Sequence, residues 1–183
     1  QSADGNTGAR NPQDLGGGET DKHLIYEGLS RVAADAVLAG AETIRGGRIV
    51  FSVWRPEVGR VRERMGKPEH PVQIVATLRG VGLDREMLYN LPDIRVVLLT
   101  VGSCALLMRE ALASRPWISV VATDAPDQLP AGFERLRELG IERISAVGGR
   151  KLAAQLIDAG LVQDVYLTTS PRPGGEPDTP MYP

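Results

Sequence analysis

Apolar residues along this chain fall into short unbroken runs, separated by longer stretches in which they recur with a helical period. The runs occupy residues 36–39, 72–77, 94–100, 118–123, 144–147 and 165–169. Continuous rather than alternating hydrophobicity marks strands covered on both faces, as in parallel sheets, so six strands are predicted. Helical periodicity predicts helices over 21–34, 57–65, 105–113, 132–139 and 151–159. The first is expected to start from Thr20 as N-cap and to bury Leu24, Ile25, Gly28, Leu29 and Val32. The second follows Pro56, a residue suited to a first helical position, and the third follows Ser103. The last two stop at Gly140 and Gly160, where a left-handed cap costs little. Strand–helix–strand units with short links imply an α/β fold with a mostly parallel sheet and right-handed crossovers.

Two segments break the pattern. Residues 1–20, QSADGNTGARNPQDLGGGET, are rich in Gly, Asn and Asp and read as a loop. The stretch from Arg45 to Arg64 carries six arginines, of which Arg60, Arg62 and Arg64 are expected to be solvated surface cations. At 183 residues the chain is expected to form a single domain, 1–183, lacking a first strand and C-terminal strands.

Charge and cysteine content narrow the function. A net charge of −2 is no footprint for a nucleic acid. No apolar run approaches the roughly 18 residues of a membrane span, and no signal peptide opens the chain, so a cytoplasmic protein is expected. Cys104 is the single cysteine and His23 and His70 the two histidines; neither a cysteine-based nor a histidine-rich metal centre is expected. The same scarcity of histidine disfavours a Ser-His-Asp hydrolase.

In open α/β sheets, ligands bind beyond the carboxyl ends of the strands, and there the chain is distinctive. GAETIRGG follows the first strand, with Gly40, Thr43 and Arg45; TLRG follows the second, with Thr77 and Arg79; TVGS follows the third. In ISAVGGRKLAAQLIDAGL the pair Gly148-Gly149 separates a strand from a helix opening with Arg150 and Lys151. A missing Cβ admits a ligand to the backbone, and a helix N-terminus attracts anions. Cations in the first turn oppose the helix dipole unless a bound phosphate offsets them. Arginine suits bidentate phosphate contacts, so the set describes a surface for a phosphorylated nucleotide. Neither the G-x-G-x-x-G fingerprint nor a Walker loop is present.

The phrases SADG, SRVAADAVLAGAETIR and ISAVGGRKLAAQLIDAGLVQDVYLTTSP, in order and covering nearly the whole chain, resemble the reductase domain of the riboflavin-pathway deaminase–reductase proteins. The resemblance implies a dihydrofolate-reductase-like three-layer fold, with helices on both faces of the sheet. It implies NADPH-dependent reduction of a phosphoribosylamino-pyrimidine to its ribitylamino product, by hydride transfer to sugar C1, and a homodimer. Carried over by position, Gly40, Thr43, Arg45, Gly148, Gly149, Arg150 and Lys151 would contact NADPH, and Thr77 or Arg79 its 2′-phosphate. Asp4 would be the catalytic-site carboxylate, orienting sugar hydroxyls or relaying a proton, with Asn6, Lys22 and Arg31 on the substrate side. Two positions depart from the family pattern: Asn6 stands where many relatives carry lysine, and Gly46-Gly47 where many carry an acidic residue. The first departure favours an alternative, a reductase of a pteridine or dihydrofolate-like substrate. A non-catalytic nucleotide-binding module is the second alternative.

Overall fold

The computed structural model describes residues 1–9, 15, 18–45 and 49–182. Five parallel strands, β1 (Ala36–Gly40), β2 (Val72–Ala76), β3 (Val96–Val101), β4 (Ile118–Thr123) and β5 (Ile144–Ala146), form one sheet in the order β4-β3-β2-β1-β5. Helix α1 starts at Glu19–Asp21 and continues over Lys22–Ala33; α2 is Ala41–Ile44, α3 Pro56–Arg64, α4 Gly102–Leu112, α5 Leu129–Glu138 and α6 Arg150–Asp158. A 3₁₀ turn covers Met87–Asn90. This is the expected α/β sheet, layered on both sides. On one face Ala39, Val75, Val96 and Leu98 pack with Cys104 and Met108 of α4 and Ile44 of α2; on the other Leu38, Ile74, Val97 and Leu99 pack with Leu136 of α5 and Leu156 of α6. Each such Val, Leu, Ile or Met side chain, fully buried, contributes about 1.5–3 kcal/mol.

Gly140 and Gly160 end their helices with φ of +79° and +67°, and Pro56 opens α3, as the sequence indicates. Among the described residues no helix is long and apolar enough to cross a membrane.

The run at 165–169 is not a strand. Val165, Tyr166 and Leu167 are exposed, and among the described residues the backbone of 165–170 is bonded only where Thr168 accepts from the Gln1 amino group and Ser170 donates to Gln1. High β-propensity does not make a strand without a partner ladder. Thr20 lies inside α1, whose N-cap position is Gly18. The buried side of α1 also differs from expectation. Lys22–Ala33 is wound as a π-helix, and i→i+5 winding rotates the buried face away from the 3.6-residue rows. Leu24 and Gly28 therefore face out, whereas Ser30 is fully buried, its hydroxyl donating to the Ile25 carbonyl and lying 3.0 Å from that of Ser145.

Arg62, expected at the surface, is wholly buried. Its Nε donates to the Pro68 carbonyl at 2.7 Å, and its Nη1 to those of Arg31 (2.9 Å), Val32 (3.3 Å) and Ala34 (2.8 Å). The guanidinium thus satisfies the last carbonyls of α1, which would otherwise be orphaned, and ties them to α3 and to the segment leading into β2. Beside it, the Asp35 carboxylate accepts from the backbone N–H of Glu142 and Arg143 and pairs with Lys67. Burial pushes the Asp35 pKa up, but the Lys67 and backbone hydrogen bonds outweigh it, and the net shift is below its ordinary 3.8.

Arg62→Ala should cost about 3–5 kcal/mol, because four carbonyls lose a buried charged donor. Arg62→Lys should recover little, since a single ammonium cannot match the forked donor; urea denaturation measures both. A carboxylate depressed in the folded state stabilises above its unfolded pKa, and that contribution fades as pH falls through the folded value. Acidification from pH 6 to 3 should therefore destabilise the wild type more than Asp35→Asn, as read by denaturation midpoints at each pH.

Candidate functional site

Because every strand is parallel, their carboxyl ends share one edge, and among the helices that begin there are α2 after β1, α4 after β3 and α6 after β5. None carries a side-chain cap. The strands β1 and β5 are neighbours, with Leu38 opposite Ala146 and Val147 N–H bonded to the Leu38 carbonyl. Gly40 and Gly148 consequently emerge side by side.

Packing distinguishes the glycines. At Gly148 a Cβ would lie 2.8 Å from Thr43 Oγ1 and 3.3 Å from Thr43 Cβ, so a methyl there would force Thr43 to shift. Gly149 has φ +73° and ψ 108°, backbone that L-residues rarely adopt; it turns the chain into α6, accepting from Leu152 and Ala153 N–H groups. Gly40 differs from both. Its φ of −73° and ψ of 150° suit any residue, and an added Cβ would meet nothing within 4 Å. Neither backbone nor packing requires glycine at this position; an open approach to the strand end is what its missing side chain provides.

Around this floor lie the cations. Arg79, Arg150 and Lys151 are exposed, and Arg45 is exposed and paired with Glu42 at 2.9 Å. Thr77 is buried, its hydroxyl donating to the Gly80 carbonyl and accepting from the Arg79 N–H. It shapes the turn that presents Arg79, and Gly80, at φ +81° against Met108, seats that turn on α4. The Gly46-Gly47 positions lie outside the described residues.

The substrate-side candidates divide. Ser2 is buried and SADG closes as a tight turn, Gly5 N–H bonding to the Ser2 carbonyl. Asp4, exposed, accepts from the Gly174 N–H at 2.9 Å. Asn6 donates to the Gly174 carbonyl and accepts from the Thr179 N–H. The Asp21 carboxylate next to Lys22 accepts from the Thr168 hydroxyl, and the Thr168 carbonyl accepts from Gln1. Asp4, Asn6 and the start of α1 are thereby linked, with Lys22 held to Glu19 at 2.6 Å. Arg31 stands apart. It lies at the far end of α1, among the carbonyls that Arg62 binds, and its Nε donates to Ser52. Burial draws its pKa down. It lines a crevice with Val53, Trp54, Arg55 and Val58, in which the Arg55 guanidinium lies 4.7 Å over the Trp54 ring. That pair is not among the residues the sequence motifs point to; a Trp-Arg step ending an apolar run was the available signal.

A model of one family, the RibD C-terminal domain, matches residues 1–183. The chain belongs to the RibD C-terminal domain family. Solved structures with the same fold include a pyrimidine reductase-like protein of Corynebacterium diphtheriae (TM-score 0.77, 22% identity, covering 99% of this chain and 75% of that one). RibD of Acinetobacter baumannii aligns with a TM-score of 0.70 at 16% identity, over 100% of this chain and 47% of that one. A diaminohydroxyphosphoribosylaminopyrimidine deaminase/5-amino-6-(5-phosphoribosylamino)uracil reductase of Thermotoga maritima aligns at 0.59 and 17% identity, over 92% of this chain and 48% of that one. The chain thus spans about half the length of the latter two. Curated proteins give no significant match.

The contact between Thr43 and Gly148 joins the two strand ends. Gly148→Ala should cost about 1–3 kcal/mol by overpacking. In a Thr43→Ala background, where the close Oγ1 and Cγ2 atoms are gone, the same change should cost clearly less. Denaturation of the four proteins of this double-mutant cycle measures the coupling.

Proposed function

We propose that this chain is an NADPH-dependent reductase, a cytoplasmic and homodimeric oxidoreductase of riboflavin biosynthesis. Its favoured substrate is a 5-amino-6-(5-phosphoribosylamino)pyrimidine, reduced at sugar C1 to the ribitylamino product. Family membership supports the pathway and the reaction class. Gly40 is the observation that carries the cofactor: a glycine with ordinary dihedrals and open space before it, at the end of β1 and beside the Gly148-Gly149 turn. NADPH, when bound, supplies the hydride.

The residues present fit a phosphorylated dinucleotide. The uncapped start of α6 offers first-turn N–H groups to a phosphate, which would also relieve the placement of Arg150 and Lys151 against the helix dipole. Thr43 holds the Gly-Gly turn against the end of β1 and faces the same floor. Arg79, presented by the Thr77 turn, would take the 2′-phosphate, and Arg45 would supply further positive charge. On the substrate side Asp4 would orient the sugar hydroxyls, fixed by the Gly174 N–H, with Asn6 beside it. Lys22 is the phosphate candidate of that cluster; Arg31 would serve only a group reaching the Trp54 crevice. The protein's task is to bring donor and acceptor carbons to roughly 3–3.5 Å.

Asn6 favours a second reading, a pteridine or dihydrofolate-like substrate. Both ends of its amide are bound to the 174–179 segment, so it brings no charge where many relatives carry lysine.

Titration with NADPH and with NADH, followed by Trp fluorescence, tests the reading. Saturable binding that prefers NADPH is expected. Gly40→Val should weaken NADPH by tenfold or more, about 1.4 kcal/mol, with the melting temperature unchanged. Arg79→Ala should narrow the NADPH preference. Binding of neither nucleotide, or full affinity in a folded Gly40→Val protein, would overturn the assignment of this floor to the cofactor. Cofactor binding with no turnover of any ribosylamino-pyrimidine or pteridine would point to the non-catalytic module.

A further inference from the structure

We infer that Thr179 is a positioning residue for Asp4: its hydroxyl locks the segment 174–179 against the amino-terminal turn, so that the Gly174 N–H meets the Asp4 carboxylate. This inference rests on the reading of Asp4 as the substrate-orienting carboxylate and deepens it.

Thr179 is 5% exposed, and each of its polar groups is bonded. Its N–H donates to Asn6 Oδ1 at 3.3 Å. Its carbonyl accepts from both the N–H of Thr7, at 2.7 Å, and the Thr7 hydroxyl, at 2.8 Å. The Thr179 hydroxyl accepts from the Gly8 N–H at 2.9 Å and donates to the Glu176 carbonyl at 2.6 Å. That last bond closes 176–179 into a turn, and the Glu176 N–H returns to the Gly8 carbonyl. Accepting on one side while donating on the other is hydroxyl chemistry. A valine of the same shape would leave both backbone partners unpaired, at the cost of their desolvation.

Close packing holds the same contact. A Cβ on Gly8 would lie 2.9 Å from Thr179 Oγ1, and one on Gly175 would lie 2.9 Å from both Asn6 Cβ and the Gly8 carbonyl oxygen. Asp178, directly before Thr179, has φ +57° and is the one non-glycine residue with positive φ among the described residues. Such backbone persists where its surroundings fix it, and here the bonds of Thr179 do so.

Gly174 carries the lock to the site. Its carbonyl accepts from Asn6 Nδ2 at 3.2 Å and its N–H donates to Asp4 Oδ2 at 2.9 Å. One oxygen of the exposed carboxylate is therefore held from the 174–179 side, leaving Oδ1 without a partner among the described residues. If the turn opens, the Gly174 N–H departs and the carboxylate is free to rotate. A misplacement of about 1 Å can cost on the order of 100-fold in rate.

Steady-state reduction of the ribosylamino-pyrimidine by the full chain, compared among wild type, Thr179→Val, Asp4→Ala and the double variant, tests this. Thr179→Val should lower kcat at least tenfold, with NADPH affinity within twofold of wild type, and Thr179→Ser should restore most of the loss. In the Asp4→Ala background Thr179→Val should cost less than twofold more, because groups that act as a unit are not additive. Hydrogen exchange of the Gly174 amide should be at least tenfold faster in Thr179→Val. An equal loss in both backgrounds, or unchanged Gly174 exchange in a folded Thr179→Val protein, would overturn the positioning role and leave the assignment of Asp4 standing. A wild type that binds NADPH yet reduces neither ribosylamino-pyrimidine nor pteridine would overturn the reading of Asp4 and this inference with it. Should Thr179→Val fail to fold, exchange on the wild type decides. The amides of Gly8, Gly174 and Glu176 should then open together at one rate; a Gly174 amide exchanging freely while the other two stay protected would overturn the lock.

Discussion

A single buried guanidinium organises one end of this molecule. Arg62 reaches from α3 to the closing carbonyls of α1 and to Pro68, and so fixes where α1 hands over to β1 and where the chain enters β2. A bare arginine in the interior would be prohibitively costly; here four carbonyls and the neighbouring Asp35 carboxylate make burial tolerable. Asp35 completes the arrangement by binding the N–H groups of Glu142 and Arg143 just before β5, and Val72 N–H bonds to its backbone carbonyl. Three neighbouring strands are aligned at their amino ends by two charged side chains. In a parallel sheet, aligning the amino ends also determines how the carboxyl ends stand relative to one another.

That division gives the two edges different physical characters. At the amino edge the closing carbonyls of α1 and the Asp35 carboxylate are bound internally. At the carboxyl edge, α2, α4 and α6 all start without side-chain caps, leaving first-turn N–H groups for water or for an anion. Stability at one end and unspent donors at the other is the usual partition in α/β sheets, and here it can be assigned to named residues.

Much of this was legible in the sequence, for identifiable reasons. Strands β1, β2 and β3 were readable because both faces are covered, which leaves unbroken apolar runs such as AVLAG and VVLLTV. The Gly-Gly turn was readable because glycine is the cheap residue for φ +73°. Three features were not. The 165–169 run has the composition of a strand, but strand formation depends on a partner that composition does not encode. In α1 the period expected from 3.6 residues per turn is replaced by π winding, so Ser30 is buried where Leu24 was expected. Arg62 reads like Arg60 and Arg64, since its burial depends on the carbonyls of a helix some thirty residues earlier. Site residues were legible where backbone geometry demands a residue type, as at Gly148 and Gly149, and less so where a long side chain chooses its direction, as at Arg31.

Gly40 shows how a structural reading can separate folding constraints from functional ones. Gly148 is held by a steric conflict with Thr43 and Gly149 by its dihedrals, so a glycine at either position is explained by folding alone and says little about a ligand. At Gly40 both explanations fail: the backbone is ordinary β and the space ahead is open. Glycine at a strand end otherwise costs conformational entropy without return. The remaining physical benefit is access, since a ligand lying across the ends of β1 and β5 would come within van der Waals reach of the bare backbone. The glycine that folding does not need therefore points to a nucleotide on this edge more strongly than the two that folding does need.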